Sequence, residues 1–144
     1  MQDKVIYKEL SYEVVGVLFD VFVDVGYGYS EKYYQRAIAK GFKDQTIHFK
    51  EQVPYTLKFK GEQIGKFYFD FLIENKIVLE IKVGRFYGRK NIQQLRNYLK
   101  VSGLELGILA NFTPSGVKFI RILNMANYKK GPEIITGTYK KLLY

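Results

Sequence analysis

Between Lys66 and Val83 two apolar β segments, Lys66-Phe67-Tyr68-Phe69-Asp70-Phe71-Leu72-Ile73 and Ile77-Val78-Leu79-Glu80-Ile81-Lys82-Val83, flank the short turn Glu74-Asn75-Lys76. Past the opening Lys66, charge interrupts these segments only at Asp70, Glu80 and Lys82. If the turn holds three residues, Ile73 faces Ile77 and Asp70 falls opposite Glu80, with Cβ atoms roughly 5 Å apart. Lys82 lies two residues past Glu80 and projects from the same face. The other face would carry Phe69, Phe71, Ile73, Ile77, Leu79, Ile81 and Val83. Strands this apolar belong in the middle of a sheet, where both faces are covered and a charge needs a reason.

Two carboxylates at that separation repel unless something positive lies between them. A divalent cation is the economical answer, and the chain narrows its identity. It has no cysteine and one histidine, so protein ligands must be mainly oxygen, which points to magnesium or manganese. Such a cation lowers the pKa of a bound water and neutralises charge on a phosphate. Lys82 could orient that water or stabilise the developing charge. The alternative is a salt-bridge cluster on the solvent side of a sheet.

Around the hairpin the periodicity changes. Val14, Val17, Leu18, Val21, Phe22 and Val25 recur at helical spacing, with Ser11 as N-cap and Gly26-Tyr27-Gly28 as the stop. A second helix is predicted from Ser30 to Lys40, ended by Gly41. Ile47–Val53 and Tyr55–Lys60 read as strands, with Pro54 marking an edge or a bend. Arg89–Val101 reads as a helix. Leu104–Ala110 and Val117–Leu123 read as strands around Thr113-Pro114-Ser115-Gly116. The order predicts an α/β fold, a mixed central sheet with helices on its faces, in a chain of 144 residues that fits one domain.

Lysine and arginine outnumber aspartate and glutamate by 23 to 14, a net charge of +9 that favours polyanionic partners. Arg85, Arg89 and Lys90, interleaved with Phe86 and Tyr87, follow the hairpin directly; they could clamp a phosphate backbone, or form an ordinary solvated loop. No apolar run reaches the roughly 18 residues of a membrane span. With cysteine absent, an intracellular, cytoplasmic setting is the expectation. His48 stands alone in a strand-like segment and reads as structural.

The hairpin, together with Gly28-Tyr29-Ser30-Glu31-Lys32-Tyr33-Tyr34, makes the chain resemble the GxxExxY family, grouped with the PD-(D/E)XK nucleases of restriction-endonuclease-like fold. The likeness runs from about Leu10 to Asn124. It includes Gln94-Leu95-Arg96-Asn97-Tyr98-Leu99-Lys100 and Gly107-Ile108-Leu109-Ala110-Asn111-Phe112, then Gly116 and Arg121. Phe69 replaces the superfamily's proline, and Tyr27 stands where many members have proline.

The resemblance implies that Asp70 and Glu80 bind metal with the Ile81 carbonyl, that Lys82 is the catalytic lysine, and that Glu31 adds a further acidic ligand. It implies that Gln94 matches a RecB-like helix motif contacting substrate or Lys82. Glu31 could instead simply favour the helix N-terminus, and Gln94 could be solvated surface. Tyr34, sharing a face with Glu31, and Tyr98, sharing one with Gln94, are candidates for touching nucleic acid; Tyr34 is equally a candidate for the core. Residues 1–124 would form the nuclease-like domain and 125–144 a basic extension. The implied activity is magnesium- or manganese-dependent cleavage of nucleic acid, DNA before RNA. A basic nucleic-acid- or partner-binding domain without turnover is the alternative, opposed by the intact trio. A Holliday-junction-resolvase-like enzyme would require a homodimer.

Overall fold

The computed structural model describes residues 6–85 and 89–127. Helices α1 (Lys8–Val25) and α2 (Glu31–Asp44) precede strands β1 (Phe49–Phe59), β2 (Glu62–Ile73) and β3 (Ile77–Val83). Helix α3 (Arg89–Ser102), strands β4 (Leu106–Thr113) and β5 (Gly116–Leu123), and a 3-10 turn at Met125–Asn127 complete the described chain. The expected extension therefore lies almost wholly outside the described residues.

The strands form one mixed sheet in the order β1-β2-β3-β4-β5, with β3 in the centre. β3 and β4 are parallel and every other pair is antiparallel. Parallel neighbours need a crossover, and α3 provides it. Ile77, Leu79 and Ile81 face one way, into a core shared with α1 and α2. Val78, Leu109, Ile120 and Ile122 face the other way, against Leu95 and Leu99 of α3. β4 is buried throughout, as its apolar run requires when both faces are covered. Among the described residues no helix is long and apolar enough to cross a membrane.

Several sequence expectations shift. Helix α1 starts at Lys8, after Tyr7 at φ 51°, so Ser11 is a buried helical residue rather than the N-cap. The apolar stripe simply extends back through Leu10, Tyr7 and Ile6, which pack against the core. Gly41 does not end α2. The stripe Tyr34, Ile38, Phe42 continues past it, and a Cβ at Gly41 would lie 2.6 Å from Val17 Cγ1, so the glycine allows α1 and α2 to touch. Pro54 lies within a single edge strand rather than between two strands. β2 begins at Glu62, earlier than its apolar run.

One difference bears on the site. Phe71 and Ile73 belong to the α1/α2 core, whereas Phe67 and Phe69 pack in the α3 core with Val53 and Tyr55. The expected shared face of Phe69 and Phe71 is therefore split, and β2 swings over at Asp70. Across from this point β1 runs from Glu51↔Phe71 to Val53↔Phe69 through Gln52, which takes the left-handed φ of 54°.

Candidate active site

The β2–β3 ladder pairs Ile73 with Ile77, Leu72 with Val78 and Phe71 with Leu79. Beyond Phe71 the strands part, and side chains take over the bonding. Asp70 Oδ2 accepts the Ile81 backbone N–H at 2.7 Å, and Glu80 Oε1 accepts the Asp70 N–H at 3.2 Å. Each carboxylate thus satisfies a buried backbone donor that the swing in β2 leaves without a ladder partner. Lys82 Nζ lies 3.6 Å from Glu80 Oε2. From α2, Gln35 Nε2 donates to Asp70 Oδ1. Asp70 is 5% exposed and Glu80 8%, so these charges are almost fully withdrawn from water.

Burial sets the electrostatics. It pushes the Glu80 carboxyl up to about 8, with the neighbouring Asp70 adding to the rise and Lys82 opposing it. Burial raises Asp70 too, against the pull of the Ile81 N–H, Glu80, Lys82 and Gln35. Glu31, at the start of α2, is raised by burial and by Asp70, while Lys82 lowers it. Glu31 therefore senses the charges of the hairpin site from the adjoining helix. At neutral pH the Asp70–Glu80 pair retains a proton that a cation would displace.

Buried, like-charged carboxylate oxygens with raised proton affinity fit a hard divalent cation. Among the described residues, no three or more His, Asp or Glu side chains converge tightly enough to form a ready-made metal cluster. The donor set centres on Asp70 and Glu80, with Glu31 at its margin.

Other sequence candidates scatter. Arg85, Arg89 and Lys90 are exposed at the end of β3 and the start of α3, with Gln94 half-buried one turn on. Phe86 and Tyr87 lie outside the described residues. Tyr34 is a correction: it is 0% exposed, its hydroxyl donates to the Gly26 carbonyl at 2.6 Å, and its ring stacks on Phe112, so it has no surface to offer a nucleic acid. Tyr98 is half-buried among aromatics, 4.9 Å from Phe69 and 5.7 Å from Tyr55 between ring centroids. Its ring serves packing. His48 is exposed, and its backbone ties to Glu74.

Two residues have contacts at the site to which the sequence assigned no role. Gln35 is four residues after Glu31 and so on the same helical face, a spacing that could have marked it. Asn111, 1% exposed in the apolar run of β4, pairs in register with Lys82 and donates from Nδ2 to the Gly84 carbonyl at 2.9 Å. It fixes the exit of β3, where Gly84 takes a φ of 141° that a side chain would resist.

Residues 8–122 match the family profile described as the PD-(D/E)XK nuclease superfamily. The chain belongs to the PD-(D/E)XK nuclease superfamily. No curated protein matches it. Among solved structures, the crystal structure of SSO0001 is similar at 23% sequence identity with a TM-score of 0.50. The similarity covers 82% of this chain and 57% of that one, and it bears on the fold alone. Superfamily membership accords with the five-stranded mixed sheet and its flanking helices.

Proposed function

We propose that this chain is a metal-dependent nuclease hydrolysing phosphodiester bonds, with DNA as its substrate. The observation that carries this reading is the buried Asp70–Glu80 pair at the point where β2 and β3 part, with Lys82 beside it. Carboxylates so placed weaken the fold unless a cation joins them, and Lys82 alone, a third exposed, compensates only in part.

Asp70 and Glu80, with the Ile81 carbonyl and Glu31, would hold magnesium or manganese. When bound, the cation would supply an activated water and charge neutralisation on the phosphate. The chain's own groups do the rest. Gln35 holds Asp70 through Oδ1 while the Ile81 N–H holds Oδ2, so the carboxylate stays fixed. Lys82 Nζ stabilises charge on the phosphoryl oxygens as water attacks phosphorus, one P–O ester bond breaks and the leaving oxygen takes up a proton. Arg85, Arg89 and Lys90 supply sequence-independent phosphate contacts. The Gly28–Tyr34 motif and Gln94 favour the GxxExxY group and the RecB-like branch, with residues 1–124 as the nuclease domain.

Thermal unfolding with and without manganese tests the metal half of this reading. Wild type is expected to melt higher with manganese by mass action, and Asp70→Ala is not. Cleavage assays on linear, circular, single-stranded and branched DNA test the other half. Equal residual cleavage by wild type and Lys82→Ala would show contamination and sink the hydrolase reading.

A further inference from the structure

Three tyrosines around the start of α2 are exposed: Tyr27 at 40%, Tyr29 at 53% and Tyr33 at 47%. Tyr29 and Tyr33 meet edge to face, with ring centroids 6.3 Å apart. Two cations rest against the second ring. Lys32 Nζ lies 5.2 Å and Arg36 Cζ 5.9 Å from its centroid. Neither cation has a carboxylate within ion-pair distance among the described residues.

These side chains are interleaved with the site's own. At 3.6 residues per turn, Glu31 and Gln35 share one stripe of α2, while Tyr34 and Ile38 turn into the core. Lys32 and Arg36 follow Glu31 and Gln35 by one position each, on the flank away from the core. Tyr33 lies one step further round. Going round the exposed side of α2 from the Gln35 amide that meets Asp70, the helix presents two cations without an ion pair among the described residues, then, about half a turn from the Glu31–Gln35 stripe, the Tyr33 ring with Tyr29 against it. Folding gains little from this order, because rings left in water bury little apolar area. A chain of phosphates with unstacked bases gains from each layer: cations for phosphate oxygens, ring faces for bases. Duplex DNA keeps its bases stacked inside and would use only the cations.

We propose that Tyr29, Tyr33, Lys32 and Arg36 form a platform for single-stranded nucleic acid on the exposed side of α2, the helix whose Gln35 meets Asp70. The platform rests on the nuclease reading for its purpose, since it would deliver an unpaired segment to Asp70 and Glu80. Its binding can be measured without that chemistry.

The test is fluorescence anisotropy on the full chain in EDTA, with labelled oligodeoxythymidine, oligouridine and a mixed-sequence DNA duplex. Replacing Tyr29 and Tyr33 together by alanine is expected to weaken single-strand binding roughly tenfold or more and to leave duplex binding within about twofold. The corresponding double phenylalanine variant should bind like wild type, because stacking needs the ring and not the hydroxyl. Replacing Lys32 and Arg36 by alanine should weaken both single-strand and duplex binding and flatten the single-strand salt dependence by about 0.7 per lost phosphate contact. The DNA and RNA oligomers distinguish the two sources of single strand; stacking on either supports the platform. The idea fails if the double alanine variant binds single strands as wild type does, or loses single-strand and duplex affinity equally. A protein that binds single strands through these rings but never cleaves with magnesium or manganese would overturn the nuclease reading and leave the platform standing. Cleavage that persists with the rings removed and single-strand affinity unchanged would do the reverse.

Discussion

The two ends of the β2–β3 hairpin carry opposite physics within a few residues of each other. At the turn end Phe71, Ile73, Ile77 and Leu79 are all 0% exposed and the strands bond backbone to backbone. At the open end Asp70 and Glu80 are nearly as buried, yet they are carboxylates, and side chains replace the ladder. Burial that stabilises the first set is what raises the proton affinity of the second. Stability is concentrated at the turn end, and the carboxylates proposed to bind a cation lie where the strands part.

The largest effect expected from this contrast is on the apolar side. Phe71→Ala should lower unfolding free energy by about 3–5 kcal/mol in urea titrations, while the manganese-induced rise in melting temperature persists. A stable Phe71→Ala protein would show that stability is not concentrated at the turn end. Asp70→Asn should do the reverse. Cleavage should fall by at least ~10²-fold, with stability at neutral pH unchanged or higher, because a desolvated buried charge is gone while the amide oxygen can still accept the Ile81 N–H.

The pH dependence of stability sharpens the contrast. Glu80 titrates near 4.5 when unfolded and at about 8 when folded, so between those values the folded chain binds more protons. Metal-free stability should therefore fall as pH rises through that window and level off above it, by an amount on the order of a few kcal/mol. Glu80→Gln should flatten the slope in urea midpoints recorded from about pH 5 to about pH 9. A slope unchanged in that variant would show that Glu80 is not the group responsible. The smallest effect belongs to Gln35, which positions Asp70. Gln35→Ala should lower cleavage roughly 10- to 100-fold with an unchanged melting temperature. It should also move the acidic limb of the rate profile upward, since the lost hydrogen bond had favoured the charged carboxylate. A purely structural glutamine would not move that limb.

Much of the site was legible because a strand repeats every two residues and a short turn fixes register. Those rules alone brought Asp70 and Glu80 together, with Lys82 beside them, and the ladder Ile73↔Ile77 bears out the turn. Gln35 was harder to see, because only tertiary packing brings α2 against β2, 35 residues along the chain. Tyr34 stood open between a nucleic-acid contact and the core, because its motif position says nothing about which way its helix face turns; its burial assigns it to the core.

By itself, then, the sequence determined the element order, the central hairpin and the company of its charges, since these follow from local periodicity and turn length. The tertiary structure decided that β2 swings at Asp70, that Phe69 and Phe71 part into different cores, and that α2 reaches the carboxylates through Gln35. Those outcomes depend on how distant segments share space around a twisted sheet, which spacing along one strand does not encode.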